Sequence, residues 1–287
     1  MRSALLLVNF HSRQGKQKFP LIQSYLKNLG FNLITKDSHH PQEIPQLIID
    51  HQQDVDLVII GGGDGTLNAA ISGIVQTKLP LGIIPLGTAN DLARTLKIPA
   101  NLKTTCEIIA KGKQQNIDLG KVNDQYFFNV ASLGLSVEIT NQLTASAKRR
   151  WGIFAYVATA CKVLFNSRPF SAKIYHQGEI INVKTVQIAI GNGRHYGGGM
   201  TIVHDATIHD QRLDLYSLEI RHWWEIIDLL PSLWVGHYPE DNVRLLAGKE
   251  FFIETKKPRS INTDGEITGK TPAKFEVIPQ ALTVIIP

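Results

Sequence analysis

The stretch Gly61-Gly62-Gly63-Asp64-Gly65-Thr66-Leu67-Asn68 decides the fold. It follows an unbroken apolar run, Val55–Ile60, and precedes a helical pattern over Thr66–Val75. The run reads as a strand buried on both faces. Consecutive glycines at a strand-to-helix turn let main-chain N–H groups approach a phosphate closely. The helix N-terminus adds partial positive charge. The bland alternative is a tight turn with no ligand. A Walker A loop is excluded, because it needs a Lys that does not follow here. A dinucleotide fingerprint is also excluded. Thr66 stands where a third Gly is required, and no acid occurs between Asp64 and Asp91 to meet a ribose.

Outward from this loop, strand and helix signals alternate. Ala4–Val8, Phe31–Thr35 and Leu81–Pro85 read as strands, and Lys18–Leu29 and Pro41–His51 as helices. This order indicates a parallel sheet covered on both faces, which binds ligands beyond the carboxyl ends of its strands. A second loop falls there: Ile84-Pro85-Leu86-Gly87-Thr88-Ala89-Asn90-Asp91. Thr88 can donate to a phosphate, and Asp91 can orient water around magnesium. Alone, Asn90 or Asp91 would read as the cap of a short helix, Leu92–Leu96. Two such loops on neighbouring strand ends favour a shared phosphate site.

Beyond about residue 112 the pattern becomes strand-rich. Strands are expected at Ile117–Val122, Tyr126–Ala131, Ala172–Tyr175, Glu179–Ile190, Leu213–Ile220, Glu250–Thr255 and Ala273–Ile286. Helices are expected at Trp151–Leu164 and Trp223–Trp234. The 287 residues, 43% of them hydrophobic, suffice for two domains. No run reaches the length of a spanning helix, and the N-terminus reads as a first strand with no cleavage site. Two cysteines, Cys106 and Cys161, do not make a disulfide framework, so a reducing cytoplasm is expected. The net charge of +5 lies mostly downstream of residue 95, partly in Lys148, Arg149, Arg150, Lys256, Lys257 and Arg259. No long basic run with interleaved aromatics is present, which disfavours nucleic acid as a partner.

The two loops, GGGDGTLN and PLGTANDLAR, resemble the diacylglycerol kinase catalytic domain and related bacterial lipid kinases, which share a superfamily with NAD kinases and 6-phosphofructokinases. The likeness continues through Gly193–Met200 (GRHYGGGM), Asp205-Ala206, Asp210–Asp214, Asn262–Glu266 (NTDGE) and the closing Phe275–Pro287. The resemblance implies an N-terminal three-layer α/β nucleotide-binding domain, residues 1–118. A C-terminal β-sandwich domain, residues 119–287, would carry lipid binding and catalysis, its last strand a candidate to return to the first domain.

The resemblance also assigns roles. ATP would contact Asn9, Ser12 and Arg13 in the first loop and Thr35 after the second strand. It would further contact Gly62, Gly63, Asp64, Gly65, Thr66, Leu67, Asn68 and Ala69, then Gly87, Thr88, Asn90 and Asp91. Glu266 matches the general base that takes the acceptor's proton, with Asp264 beside it as a second carboxylate. Without the family, Thr263-Asp264-Gly265-Glu266 is an ordinary Asp-Gly hairpin signal. A structural Mg2+ would use the Asp210 side chain and the carbonyls of Thr207 and Arg212. Zinc on His204 and His209 is the weaker alternative, because their spacing matches no zinc motif.

Three departures from the family pattern bear on ATP affinity and metal dependence. The first loop reads Asn9-Phe10-His11-Ser12-Arg13 where Asn-Pro-x-Ser-Gly is usual, Ala69 replaces a Glu, and Gln211 replaces a Gly. Arg13 could supply charge where the Gly is missing.

The implied activity is phosphorylation of a lipid hydroxyl, with diacylglycerol the leading acceptor. A sphingoid base, phosphatidylglycerol or an NAD-like acceptor remains an alternative, as does a nucleotide- or lipid-binding protein with little kinase activity. Basic residues beside Trp151, Tyr156, Trp223 and Trp224 suit a bilayer interface; packing on the sandwich is the plainer reading of either helix alone, and the resemblance favours an acyl-chain cleft there. The expected setting is cytoplasmic, peripheral to the inner membrane surface, with a lipid as partner and a homodimer left open.

Overall fold

The structure, a computed structural model, describes residues 2–10, 12–37, 40–142, 168–193, 195–196, 200–201, 207–220, 225 and 242–287. Apart from Glu225, the helices expected at Trp151–Leu164 and Trp223–Trp234 lie outside these residues, as do Asp205 and Ala206. The chain divides into two compact units: Met1–Leu119 with Pro279–Pro287, and Gly120–Ile278.

The first unit is built on the parallel strands β1 (Arg2–Val8), β2 (Phe31–Asp37), β3 (Leu57–Gly62) and β4 (Leu81–Pro85), in the order β2-β1-β3-β4. Ala4–Val8 and Leu57–Ile60 are wholly buried, as expected for strands covered on both faces. Among the described residues this unit has five α-helices, α1 (Arg13–Asn28), α2 (Ile44–Asp50), α3 (Asp64–Thr77), α4 (Asp91–Thr95) and α5 (Leu102–Lys111), and a 3-10 turn at Pro41–Glu43 that leads into α2.

Alternation along the strands sends Ala4, Leu6, Val8, Leu57 and Ile59 to one face, where they meet Ile22 and Leu26 of α1 and Cys106 and Ile109 of α5. Leu5, Leu7, Val58 and Ile60 face the opposite way, the side of the packed pair α2 and α3. The result is three layers. Helix α1 begins earlier than its apolar spacing predicts, because Ser12 caps it and accepts from the Gly15 N–H at 2.9 Å.

The second unit is a β-sandwich. Its first sheet joins β6 (Gln125–Phe127), β5 (Lys113–Val122), β18 (Ala273–Ile286), β15 (Glu250–Thr255), β8 (Phe170–His176) and β9 (Glu179–Thr185), in that order. The second joins β14 (Val243–Gly248), β13 (Leu213–Leu218), β10 (Gln187–Gly191), β7 (Val130–Gly134), β16 (Ser260–Thr263) and β17 (Glu266–Lys270). A short pair, β11 (His195–Tyr196) with β12 (Met200–Thr201), and helix α6 (Leu135–Gln142) complete the described elements.

Ile174, Val183, Phe251, Ile253 and Phe275 from the first sheet interlock with Leu133, Ile188, Ile190, Leu213, Leu215 and Ile261 from the second. Strands β5 and β18 run through both units, and the far end of β18 pairs in parallel with β4 at Val284 and Leu81.

Two expected strands are each divided. Glu179–Ile190 breaks at Val186, and its halves join different sheets. The Thr185 hydroxyl lies 2.8 Å from both the Gln187 and Leu218 carbonyls and 3.2 Å from the Gln187 N–H, which fixes the corner. Tyr126–Ala131 breaks at Phe128-Asn129, where the main chain turns to Asp264.

Candidate functional site

In the order β2-β1-β3-β4 the chain leaves β1 toward β2 on one side and lays β3 on the other. The topological switch point therefore lies between β1 and β3, where such sheets bind ligands. The registers Val8↔Gly61 and Gly62↔Pro85 align the carboxyl ends of β1, β3 and β4. Their loops carry Asn9–Ser12, Gly63-Asp64 and Leu86–Asp91.

These loops are tied together. The Asn9 N–H donates to the Gly61 carbonyl at 3.1 Å, and its side-chain amide reaches the Thr66 hydroxyl at 3.4 Å. The Leu86 N–H donates to the Gly62 carbonyl at 2.9 Å, and Asp64 accepts from the Leu92 N–H at 3.3 Å. Asn90, at φ +51°, closes its own loop by accepting from the Gly87 N–H and donating to the Gly87 carbonyl, both at 2.9 Å.

Gly63 and Gly87 touch. A Cβ on Gly87 would lie 2.5 Å from the Gly63 Cα, and one on Gly63 would lie 3.0 Å from the Gly87 Cα, so a side chain has no room at Gly87 and little at Gly63. The first turn of α3 starts at Gly63, and no side chain caps it. Its leading N–H groups, with the dipole behind them, form an anion-binding end. Near it, the Asn68 Oδ1 is buried without a hydrogen-bond partner among the described residues. The Thr88 side chain is exposed, with no partner among them. The uncapped helix start beside the glycine contact offers N–H donors that fit the phosphate oxygens of a ligand such as ATP, whereas the Asn68 Oδ1, an acceptor, fits a hydrogen-bond donor and not a phosphate.

Other expected residues hold the loops together. The Ser12 hydroxyl donates to the Asn9 carbonyl at 2.9 Å while accepting from Gly15, so its proton is engaged. Asp91 is buried and partnered at the start of the five-residue α4, a setting unlike that of a carboxylate orienting metal-bound water. Thr35 lies before the end of β2 beside Leu6, and its hydroxyl accepts from Gln23 at 3.3 Å. Leu67 is buried core, and Ala69 is half-buried on α3. Of Arg13, the backbone alone is described, as the first residue of α1.

Gly15 escaped the sequence reading. A Cβ there would fall 2.1 Å from the Asn9 carbonyl oxygen, so the close approach of α1 to the first loop rests on Gly15. The signal was a glycine two positions beyond the usual one.

In the second unit, Asp264-Gly265 forms the two-residue turn between β16 and β17, with Thr263 opposite Glu266. Both turn residues have positive φ, +47° and +97°, the signature of a type I′ hairpin. The hairpin reading of this motif is thus realised alongside a more specific role for Asp264. Its carboxylate accepts the N–H groups of Phe128 at 2.7 Å and of Asn129 and Val130 at 3.0 Å, and its own N–H donates to the Val130 carbonyl. Asp264 therefore pins the hairpin to the segment before β7. Glu266, two residues on, is exposed and has no partner among the described residues. The two carboxylates, expected as a pair, have different surroundings.

Asp210 accepts from the N–H groups of Thr207 at 3.2 Å and Arg212 at 3.3 Å. The Arg212 Nε lies 3.5 Å from Asp210 and 3.2 Å from Asp214. Gln211, where a Gly is usual, adopts φ +60°. With a guanidinium between the two carboxylates, the loop as it stands does not fit a divalent cation at Asp210. Among the described residues no group of three or more His, Cys, Asp or Glu is placed to hold a metal ion.

Residues 3–122 match the family described as diacylglycerol kinase catalytic domain. Residues 129–286 match the YegS C-terminal NAD kinase beta sandwich-like domain. A Staphylococcus epidermidis protein named as a candidate lipid kinase is 31% identical over 240 residues, spanning 82% of this chain and 78% of that protein. A Staphylococcus haemolyticus protein named in the same way is 29% identical over the same shares. A crystal structure of a candidate diacylglycerol kinase from Bacillus anthracis superposes with a TM-score of 0.87 at 26% identity, covering 100% of this chain and 97% of that one.

Proposed function

This chain belongs to the diacylglycerol kinase catalytic-domain family, and on that premise we propose that it transfers the γ-phosphoryl group of ATP to a lipid hydroxyl, with diacylglycerol as the acceptor. The observation that carries the nucleotide half is the contact of Gly63 with Gly87 beside the uncapped start of α3, at the switch point of the sheet. The lipid half rests on the names of the relatives.

Phosphoryl transfer asks a protein for positioning and charge stabilisation more than for covalent chemistry. ATP, when bound, would supply the phosphoryl group, and the magnesium bound with it would neutralise the charge that develops. The chain's part begins with N–H groups at the start of α3 that hold phosphate oxygens, with Thr88 as a further donor. The tie from Asn9 to Thr66 keeps the first loop against α3. Glu266, presented on a turn that Asp264 locks in place, is the general base that takes the proton of the attacking hydroxyl. The reaction takes place at a membrane surface, where its acceptor resides.

The test is transfer of radiolabelled γ-phosphate by the purified protein to a panel of lipid classes in magnesium, with the product identified. Label on diacylglycerol is expected. Label on a sphingoid base or phosphatidylglycerol would correct the acceptor, and label on NAD would overturn the lipid reading. No label, with ATP still raising the melting temperature, would make the chain a nucleotide-binding protein.

A further inference from the structure

The outer face of the first sandwich sheet is the side turned away from the core of the second unit. The registers align its residues in rows: Ser171 with Lys184, then Asn182, Lys173 and Glu254, then Ile180, Tyr175, Phe252 and Lys274. Successive rows are about 7 Å apart, two residues along a strand. Lys256, just past the end of β15, joins the first two rows around a groove of about 630 Å³.

The charges on this face are distributed unevenly. At one end Lys274 pairs with Glu250 at 3.2 Å and Glu276 at 2.9 Å, and Lys121 lies 3.4 Å from Glu276. At the other end Lys173, Lys184 and Lys256 are exposed and have no ion-pair partner among the described residues. The acid nearest them, Glu254, accepts instead from the Tyr175 hydroxyl at 2.7 Å. Beside this net-positive end stand two exposed apolar side chains, Ile180 at 56% and Phe252 at 37%. Tyr175 packs edge-on against Phe252.

We propose that this sheet face docks on an anionic phospholipid bilayer, a proposal that rests on the reading of the acceptor as a lipid. Lys173, Lys184 and Lys256 meet lipid phosphates, and Ile180 and Phe252 enter the headgroup layer. A free anion would account for the lysines and leave the apolar row without a use. A bilayer accounts for both, since interfacial binding combines buried apolar area with attraction of basic residues to anionic lipid. A sheet face also presents many side chains at one level to a planar partner.

The experiment is co-sedimentation of the full chain, without ATP, with vesicles of phosphatidylcholine alone or mixed with phosphatidylglycerol. The wild type is expected to bind the mixed vesicles and to release them as salt rises. Each lysine near such a surface contributes roughly a fivefold gain in partitioning. The K173E/K184E/K256E variant should therefore lose at least about a hundredfold, and I180S/F252S should lose binding with less change in salt dependence. Phosphorylation of a short-chain acceptor in solution should be unchanged in the lysine variant, while that of a vesicle-embedded acceptor falls.

Vesicle binding equal to wild type in both variants would overturn the proposal. So would a wild-type dimer that I180S/F252S converts to monomer with vesicle binding intact, because the face would then be a protein interface. Lysine-dependent vesicle binding without any lipid phosphorylation would leave the docking face standing and sink the acceptor reading.

Discussion

Asp264 and Glu266 are two residues apart, and substitutions at them should fail in different ways. Removing the Asp264 carboxylate strands three main-chain N–H groups of Phe128, Asn129 and Val130, all buried residues. Each buried donor left unpaired costs about 1–3 kcal/mol. Asp264→Ala should therefore lose at least about 3 kcal/mol, read from the denaturant midpoint, and its turnover should fall along with folding. Asp264→Asn keeps one acceptor oxygen and should recover part of that stability. Glu266 is exposed and unpartnered among the described residues, so Glu266→Gln should unfold within about 0.5 kcal/mol of wild type. Its phosphoryl transfer should drop by about 100- to 10,000-fold, the usual worth of a general base. Normal stability with lost turnover in Asp264→Asn would return Asp264 to the chemistry. The Asp-Gly turn was legible in the sequence because a type I′ hairpin needs those residue types. The bond partners were not, since residues 128–130 lie more than a hundred positions away.

Elements with a local cause were read well, and those decided by distant contacts were not. The strand before Gly61 and the helix after it follow from an apolar run and a glycine turn. They appear as Leu57–Gly62 and Asp64–Thr77. Helix α5 was missed, although Asn101 caps it by accepting from the Thr104 N–H at 3.0 Å. Its apolar residues Leu102, Cys106 and Ile109 recur at helical spacing, so the signal was present in the sequence and went unread. The corner at Thr185 is invisible in a continuous β-rich run, because the Leu218 carbonyl that helps fix it belongs to another strand. The contact between the two glycine loops is an element-scale property as well, and it can be tested. Gly87→Ala places a Cβ 2.5 Å from the Gly63 backbone, and backbone cannot swing aside as a side chain tip could. The loops must part, which should cost about 1–3 kcal/mol by overpacking. The phosphate cradle should open with them, so ATP affinity by titration calorimetry should weaken at least about tenfold, more than in Gly269→Ala, where a Cβ meets nothing within 4 Å. Unaltered affinity would mean that phosphates do not sit between these loops.

At the scale of the whole chain, the first unit is discontinuous: it needs Pro279–Pro287 as well as Met1–Leu119. The returning segment places Val284 beside Leu81 of β4, and Leu282, Val284 and Ile285 are all at least 97% buried. The Gln280 N–H donates to Asp118 at 2.8 Å, and the Thr283 hydroxyl to Asn116 at 2.8 Å. A closing strand of this kind is weakly encoded locally, since Ala273–Ile286 reads as one apolar strand whichever unit receives it. Its energetic weight is nevertheless large. Burying three aliphatic side chains is worth roughly 5–9 kcal/mol, about the whole stability of a domain. A chain ending at Ile278 should therefore lose the fold of the first unit while the sandwich keeps its own core of Phe251, Phe275 and their neighbours. Calorimetry should show one melting transition in place of two, or of one broader transition. The remaining transition should no longer respond to ATP. Adding back residues 279–287 as a peptide at high concentration should restore that response in part. A truncated chain that still shifts its melting temperature with ATP would show that the parallel sheet closes without the far end of β18, and the terminal residues would then serve the sandwich alone.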